Sequence, residues 1–302
     1  MEISLRQIAY FLKLFEKGSF TAAASALGIT QPALSIAISQ MEKALSVPLV
    51  ERGTQPITLT EAGQLFHRYA LRIHRDVAEV RDELSAINRG TIGRLDVCLG
   101  PSATGSEVAS ILAGMTDEFP GLEIHIQMGV MPAVAERIRT NEFSVYVGTV
   151  ADGFDDPGLS VTQLTTLPLI VAAGGRHPLA GRREVHPQAL LDYPWIRIGN
   201  LDGNLPDWRR PFEQAGLTPP RPAIDIRNIA LVRTMLADGR FLTILPVSMV
   251  RSDLAAGVIA DVTPPGFGWR LRLEAVTRAG LTPPAAARIF LDRLKGAFAP
   301  EN

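Results

Sequence analysis

Some segments of the chain bring together residue types that could carry out catalysis, but each falls short of a complete site. In residues 99–107 (LGPSATGSE), Gly100 and Gly105 have the spacing of a phosphate-binding P-loop, yet Ser106 stands where the essential Lys would be. Ser102 misses the nucleophile elbow of hydrolases because Thr104 replaces the second Gly. The sequence therefore predicts no catalytic residue.

The metal-ligating residue types are equally incomplete. His67 and His74 lie seven residues apart on one predicted helix, with no third ligand nearby. The other three histidines are scattered, without carboxylates at metal-ligand spacing. The single cysteine, Cys98, excludes a disulfide within the chain and a Cys-based zinc site. We expect neither a metal nor an organic cofactor.

A more informative set of polar residues lies within residues 20–45, FTAAASALGITQPALSIAISQMEKAL. An alanine-rich apolar helix is followed by Gly28, which supplies a tight turn, and by a second helix that Thr30 can cap with Pro32 just inside. One side of the second helix is apolar, with Leu34, Ile38, Met41 and Leu45; the opposite side carries Pro32, Ser35, Ile36, Ser39 and Lys43. Short polar side chains on a protruding face suit contact with base edges in the major groove. A solvated helical hairpin on a surface is the alternative interpretation.

The flanking segments favour the DNA-reading interpretation. Upstream, an amphipathic helix with apolar positions from Leu5 to Phe15 could close a three-helix core. Downstream, two β-prone runs, residues 48–51 and 57–60, surround a turn with Arg52 at its tip. This pattern predicts a wing, in which Arg52 could reach a phosphate or the minor groove.

Residues 1–62 resemble the winged helix-turn-helix of LysR-type transcriptional regulators. The resemblance rests on GSFTAAA (18–24), TQPALS (30–35), the VPL-x-ER wing (47–52) and LTEAG (59–63). Ile36 and Val50 depart from the family pattern, which usually has a polar or basic residue and a Phe at these places. The resemblance implies that DNA is contacted by Thr21, Thr30, Gln31, Pro32, Ser35, Ile36, Ser39, Gln40 and Arg52.

Composition fits a globular protein of two or three domains. The chain has 302 residues, of which 46% are hydrophobic and 20% charged, and no uncharged run predicts a membrane span. We expect a cytoplasmic protein. Residues 1–60 carry five Lys or Arg against four Asp or Glu, so this segment is nearly neutral. Phosphate binding must then depend partly on backbone N–H groups, and we expect a shallow salt dependence.

A long helix is predicted over residues 60–88, where apolar residues recur at steps of three or four from Phe66 to Ile87. About 30 residues at about 1.5 Å each make a rod of roughly 45 Å, which is long for a helix buried in a small core. A helix lying on its own domain is the alternative. Its position between two domains favours a dimerising coiled coil.

Strands and helices alternate after Gly93, which predicts a parallel βαβαβ unit followed by a second α/β series. Together with EFPGLEI (118–124) and HPLA (177–180), this order resembles the effector domain of the LysR family, which is similar to periplasmic binding proteins. The fold class is therefore an α+β multidomain protein. Its predicted parts are a winged helix-turn-helix (1–59), a linker and dimerisation helix (60–90) and a two-lobed α/β effector-binding domain (91–302), with lobe I at 91–163 and 271–302 and lobe II at 164–270.

We expect a DNA-binding transcriptional regulator that senses a small-molecule effector, with a solute-binding or enzymatic α/β protein as the alternative. Expected partners are double-stranded DNA, the effector and a second copy of the chain; the resemblance implies a homotetramer, and RNA polymerase is a candidate partner. The loop after the first strand offers hydroxyls and N–H groups at a helix N-terminus, which suits an anion. The predicted effector-binding residues are Ser102, Ala103, Thr104, Val130, Met131, Asn200, Asp202 and Asn228.

Overall fold

The computed structural model describes residues 3–51, 53, 56–89, 92–198, 208–226 and 228–299. The chain divides into two compact units. The first comprises Met1–Arg89 with the short segment Arg139–Glu142, and the second comprises Gly90–Ile138 with Phe143–Asn302.

Where the first unit is described, it is built from four helices, α1 (Leu5–Lys17), α2 (Phe20–Leu27), α3 (Gln31–Leu45) and α4 (Glu61–Arg89). Each of the first three begins at a side chain that accepts a backbone N–H, which contributes about 1 kcal/mol per cap: Ser4, Ser19 and Thr30. Thr60 does the same for α4, because its Oγ1 accepts the N–H of Gly63 at 2.9 Å. The helices enclose one core that includes Phe11, Leu34, Ile38 and Met41.

The segment between α3 and α4 forms the wing. Its two predicted strands prove shorter than expected, because a single antiparallel bridge joins Val50 to Leu59 in the part of the wing that is described. A backbone hydrogen bond from Glu51 N–H to the Thr58 oxygen, at 2.9 Å, extends the pairing by one step. Gly63 lies so close to the wing that a Cβ there would be 1.9 Å from the Leu49 carbonyl oxygen. A glycine is therefore required where α4 meets the wing.

The described residues of the second unit form a mixed nine-stranded sheet. Its strands are β1 (Arg94–Leu99), β2 (Glu123–Met128), β3 (Val145–Gly148), β4 (Leu159–Gly174), β5 (Trp195–Ile198), β6 (Pro222–Ile226), β7 (Leu242–Pro246), β8 (Ile259–Asp261) and β9 (Trp269–Arg278). The order is β2-β1-β3-β9-β4-β7-β5-β6, with β8 paired to β4. The predicted parallel pairings are present, since β1 runs parallel to β2 and β3, and β5 runs parallel to β6 and β7.

The helices of this unit are α5 (Ser106–Glu118), α6 (Ala135–Arg139), α7 (Arg210–Gln214), α8 (Ile229–Ala237), α9 (Val247–Ala255) and α10 (Ala285–Ala297). The alternation of strands and helices follows the predicted α/β series, whereas α9 and β8 were not predicted from the sequence. The C-terminal helix α10 packs on α5 and β1, which confirms its expected return to the first lobe. Phe290 and Leu294 of α10 are fully buried there.

Two long strands carry the chain between the lobes. β4 leaves lobe I and β9 returns to it, and the two pair antiparallel from Leu159–Arg278 to Leu169–Trp269. The register shifts between Gln163 and Thr165, which is where sequence analysis divided the lobes. One sheet therefore continues through both lobes, and lobe II is an insertion between two neighbouring strands of lobe I.

Among the described helices, none is by itself long and apolar enough to cross a membrane. Only α2 and α3 taken together, with a bend of 104° between them, reach the necessary length and composition.

Candidate functional site

The outer face of α3 is the exposed surface of the first unit that sequence analysis assigned to base reading. Leu34, Ile38 and Met41 are buried and anchor the inner face. The Thr30 hydroxyl accepts the Ala33 N–H at 3.4 Å, and Gly28 ends α2 in the left-handed conformation, with φ of 66°. The turn and the cap thus fix where α3 starts.

The predicted DNA contacts lie mostly on this surface. Six of them are exposed and two, Ser35 and Ser39, are half-buried; the exposed ones are Thr21, Thr30, Gln31, Pro32, Ile36 and Gln40. Ile36 is 57% exposed. This exposure fits the predicted contact with a thymine methyl group. Arg52 lies outside the described residues.

Glu42 ties α3 to the wing, a role that sequence analysis missed. Its Oε1 accepts the backbone N–H of Leu49 at 2.8 Å and of Val50 at 3.3 Å. A carboxylate that accepts two backbone N–H groups holds them more strongly than a neutral acceptor would. The reading helix and the wing are therefore positioned by one side chain.

A cavity of about 730 Å³ opens in the second unit and is the candidate ligand site. Its walls come from the loop after β1, the ends of β3, β5 and β7, the start of β9 and the middle of β4. Carboxyl ends of parallel strands commonly form such sites in α/β sheets. Of its 24 described lining residues, 17 are apolar, so a bound molecule would be held mainly by apolar contact.

A pair of hydroxyl groups marks the lobe I side of this cavity. Ser102 Oγ and Thr149 Oγ1 are 3.0 Å apart and hydrogen-bonded, and both residues line the cavity. Tyr146 supports the pair, since its hydroxyl donates to the Thr149 carbonyl oxygen at 3.2 Å. Burial raises the pKa of the Tyr146 phenol far above its ordinary value, so the group stays protonated and remains a donor.

Glycines make room for that tyrosine. A Cβ on Gly148 would lie 2.2 Å from the Tyr146 hydroxyl oxygen, and a Cβ on Gly100 would lie 2.7 Å from it. Neither position could carry a side chain without moving the ring. The backbone that holds the two hydroxyl groups is therefore built around Tyr146.

The structure brings only part of the predicted effector set to the cavity. Ser102 and Val130 line it. Ala103 and Met131 are instead buried in the core, at 1% and 0% exposure, which corrects their expected place on the wall. Met131 was predicted to face the ligand because it follows β2, but it packs with Cys98, Val134 and other residues beneath the loop.

Two other predicted contacts serve as local caps. Thr104 is exposed and donates from Oγ1 to the Pro101 carbonyl oxygen at 2.8 Å, and it is not among the lining residues. Asn228 caps α8 by accepting the Leu231 N–H at 3.1 Å, and it too is outside the lining. Asn200 and Asp202 lie outside the described residues.

Lobe II contributes lining residues that sequence analysis did not assign to the site. Trp195 and Trp269 are buried, and they line the cavity together with Trp208. Arg197, Arg209 and Arg221 line it as well. Their sequence positions carry no motif, so only the fold could reveal that they converge. Within the described part of the chain, no group of three His, Cys, Asp or Glu could hold a metal ion.

Both units match models of one protein family. A model described as "Bacterial regulatory helix-turn-helix protein, lysR family" matches residues 5–64, and one described as "LysR substrate binding domain" matches residues 88–299. The chain belongs to the LysR family of transcriptional regulators. It is a DNA-binding regulator with a substrate-binding effector domain and not an enzyme, so the alternative of an α/β enzyme or solute-binding protein is excluded.

Known members of the family are similar over nearly their whole length. This LysR-type regulator is 27% identical over 293 residues to the SDS degradation transcriptional activation protein of Pseudomonas sp. (strain ATCC 19151), covering 94% of this chain and 92% of that protein. It is also 27% identical over 304 residues to the RuBisCO operon transcriptional regulator of Acidithiobacillus ferrooxidans, covering 98% of this chain and 94% of that protein.

Solved structures of LysR-type regulators share the fold. ArgP from Mycobacterium tuberculosis superposes with a TM-score of 0.71 at 20% identity and covers 97% of each chain. Full-length CbnR complexed with its target DNA superposes with a TM-score of 0.68 at 22% identity, covering 97% of this chain and 99% of that chain. The predicted fold class, with its winged helix-turn-helix, linker helix and two-lobed effector domain, is confirmed.

Proposed function

We propose that a small-molecule effector bound in the cavity of the effector domain controls how this regulator acts on DNA. The supporting observation is the cavity itself. Its volume of about 730 Å³ and its mostly apolar lining with a few convergent polar groups are typical of small-molecule sites. An effector with an apolar body and one anionic or hydroxyl-rich end matches this lining, and the function requires no metal or organic cofactor.

Ser102 is the polar contact on which the proposal depends most. It is 8% exposed, and its hydroxyl is already oriented by Thr149. A ligand acceptor that loses this donor would be left unpaired in a largely dry site. Ser102→Ala should therefore weaken effector binding by about 1–3 kcal/mol, or roughly 5- to 150-fold.

Thr104→Ala is the matched control, because it removes a hydroxyl two residues away that does not line the cavity. Thermal-shift and calorimetric titration with a panel of small organic acids would compare both variants with the wild type. Operator binding by the ligand-free protein should persist in both variants. An active effector that binds wild type and Ser102→Ala equally would refute the role of this loop.

For the first unit, we infer that α3 enters the major groove with Gln31, Ser35, Ile36 and Gln40 facing the bases, while the wing meets the backbone. The support is that Gln31, Ile36 and Gln40 are exposed and Ser35 is half-buried, above a buried inner face. Because each copy reads one half-site, the operator is expected to be partly palindromic. The regulator acts where the chromosome is, in the cytoplasm.

We further infer that two chains pair through α4. Five large apolar side chains along this helix are at least 40% exposed: Leu65, Tyr69, Ile73, Val80 and Leu84. Phe66, which was predicted to join the same seam, packs instead against Phe11 with ring centroids 5.0 Å apart. Two such dimers would form the homotetramer that is typical of the family, and contact with RNA polymerase is the proposed route to activation.

A further inference from the structure

All the tryptophans of this protein lie at one place. The chain has three, and each of them lines the cavity of the effector domain. They belong to a continuous set of ring contacts with two phenylalanines: Trp208 and Trp195 have centroids 5.9 Å apart, and Phe212 and Phe267 connect them to Trp269. Indole rings are a large and rigid apolar surface, so their convergence shapes what can bind.

Two of the three rings, those of Trp195 and Trp269, are held in place by burial before any ligand arrives. Trp195 is 2% exposed, and its Nε1 donates to the Leu190 carbonyl oxygen at 3.0 Å. Trp269 is 5% exposed at the start of β9, paired with Leu169. Trp208 is half-buried against both Trp195 and Phe212. A wall with so little freedom loses little conformational entropy when a flat ring packs on it.

The charged groups of the cavity are of one sign. Three of its lining residues are arginines, and none of its described lining residues is Asp or Glu. Arg197 pairs with Asp225 in a bridge whose side chains are both about half exposed, so this pair is open to solvent and to exchange of partners. A guanidinium group both stacks on aromatic rings and binds carboxylate or sulfonate oxygens in two-point fashion.

We propose that the effector of this regulator is an aromatic monoanion, whose ring packs on the tryptophan wall and whose acid group is held by the arginines and the Ser102–Thr149 hydroxyl pair. This rests on the proposed effector site and specifies its ligand class. A sugar fits poorly, because a cavity with seven polar lining residues out of 24 would leave most of its hydroxyl groups unpaired.

Three matched probes separate the ring from the charge: phenylpropionate, cyclohexylpropionate and phenylpropionamide. Since every tryptophan lines the cavity, quenching of intrinsic fluorescence in the full-length protein reports binding there directly. Phenylpropionate should bind about 2- to 13-fold tighter than cyclohexylpropionate because of ring contacts. It should bind at least about tenfold tighter than the amide because of charge-assisted hydrogen bonds.

Three variants show which residues cause each preference. Trp208→Leu should erase the preference for phenylpropionate over its cyclohexyl analogue, and Trp208→Phe should restore most of it; the two remaining tryptophans still report binding. Arg221→Gln should weaken the acid and leave the amide unchanged.

Equal binding of the phenyl and cyclohexyl acids would overturn the proposed ligand class, and so would equal binding of acid and amide. Absence of quenching by all three probes up to millimolar concentration would overturn it as well. The proposed control by an effector is tested separately, by measuring operator affinity and transcription. A molecule that binds the cavity yet leaves both unchanged would refute the proposed function, while the ring preference could still hold.

Discussion

The exposed apolar side chains of α4, Leu65, Tyr69, Ile73, Val80 and Leu84, form a stripe along the helix. The free energy that this stripe contributes to chain pairing can be worked out from single side chains. Val80 and Leu84 are 58% and 56% exposed in the single chain, one helical turn apart. Because fully burying such a side chain contributes about 1.5–3 kcal/mol, burying the exposed part of these two in both chains of a dimer contributes about 3–7 kcal/mol. The double variant Val80→Asp, Leu84→Asp loses this contribution and adds unpaired charge to the seam.

The dissociation constant of the pair should therefore rise by at least about two to five powers of ten. Sedimentation velocity over a range of protein concentrations measures it, and circular dichroism checks that α4 remains helical. Operator affinity should fall together with association, since a single reading head contacts only one half-site.

The matched control is His74→Asp, Ala78→Asp, which places two carboxylates at the same four-residue spacing roughly 120° around the helix from the stripe. Both residues are exposed, so the control carries a similar helix-propensity cost. If the stripe variant associates as strongly as this control, the chains pair elsewhere and the reasoning is refuted.

Four other variants probe base reading, packing and protonation. Gln31→Ala combined with Ser35→Arg should weaken specific operator binding by about 1–3 kcal/mol in gel-shift titration, and wild-type affinity in the folded variant would refute the placement of α3. Gly63→Ala should destabilise the first unit by about 1–3 kcal/mol or more in thermal denaturation, because its Cβ would overlap a wing carbonyl oxygen at 1.9 Å. Gly114 lies within α5, and a Cβ there would be 3.9 Å from the nearest atom, on the Arg293 side chain. The control variant Gly114→Ala should therefore be neutral or stabilising by up to about 1 kcal/mol. Burial lowers the pKa of His67 from 6.5 in the folded protein, so the stability that is present above that pH is lost as the pH falls. His67→Phe should therefore make the decline in melting temperature between pH 7.5 and 5.5 shallower. An unchanged profile would contradict this role of His67.

The regular part of the fold could be predicted from sequence because its periodicity is strong and its ends are marked. Helix α8, for example, begins directly after Asn228, whose side chain caps it. The helix Val247–Ala255 was missed because it follows β7 directly at Pro246, with no polar loop between them to mark a boundary. Strand β8 is three residues long, too short for any alternation to show.

The candidate sites were predictable to different degrees for a physical reason. The outer face of a reading helix depends only on residues close together in sequence, so Pro32 and Ile36 could be placed on it from their spacing alone. The cavity is assembled by pairing of distant strands, so Trp195 and Trp269 could be identified as apolar but not as ligand-facing. Met131 shows the opposite error, since a loop residue after a strand was expected to face the cavity and is fully buried.

The path of the chain through the sheet also decides when each unit can be completed during synthesis. The core of the reading head is supplied by residues up to Ala70. Lobe I, in contrast, needs β9 and α10 beside strands that were made much earlier. About 190 residues separate β1 from α10, so at 5–20 residues per second β1 waits roughly 10–40 s for its last partner. During that interval the chain is still on the ribosome, and the apolar side chains of β1 are only partly buried. The effector domain, and not the DNA-binding head, is therefore the part of this regulator that exposes unpaired strands for longest during translation.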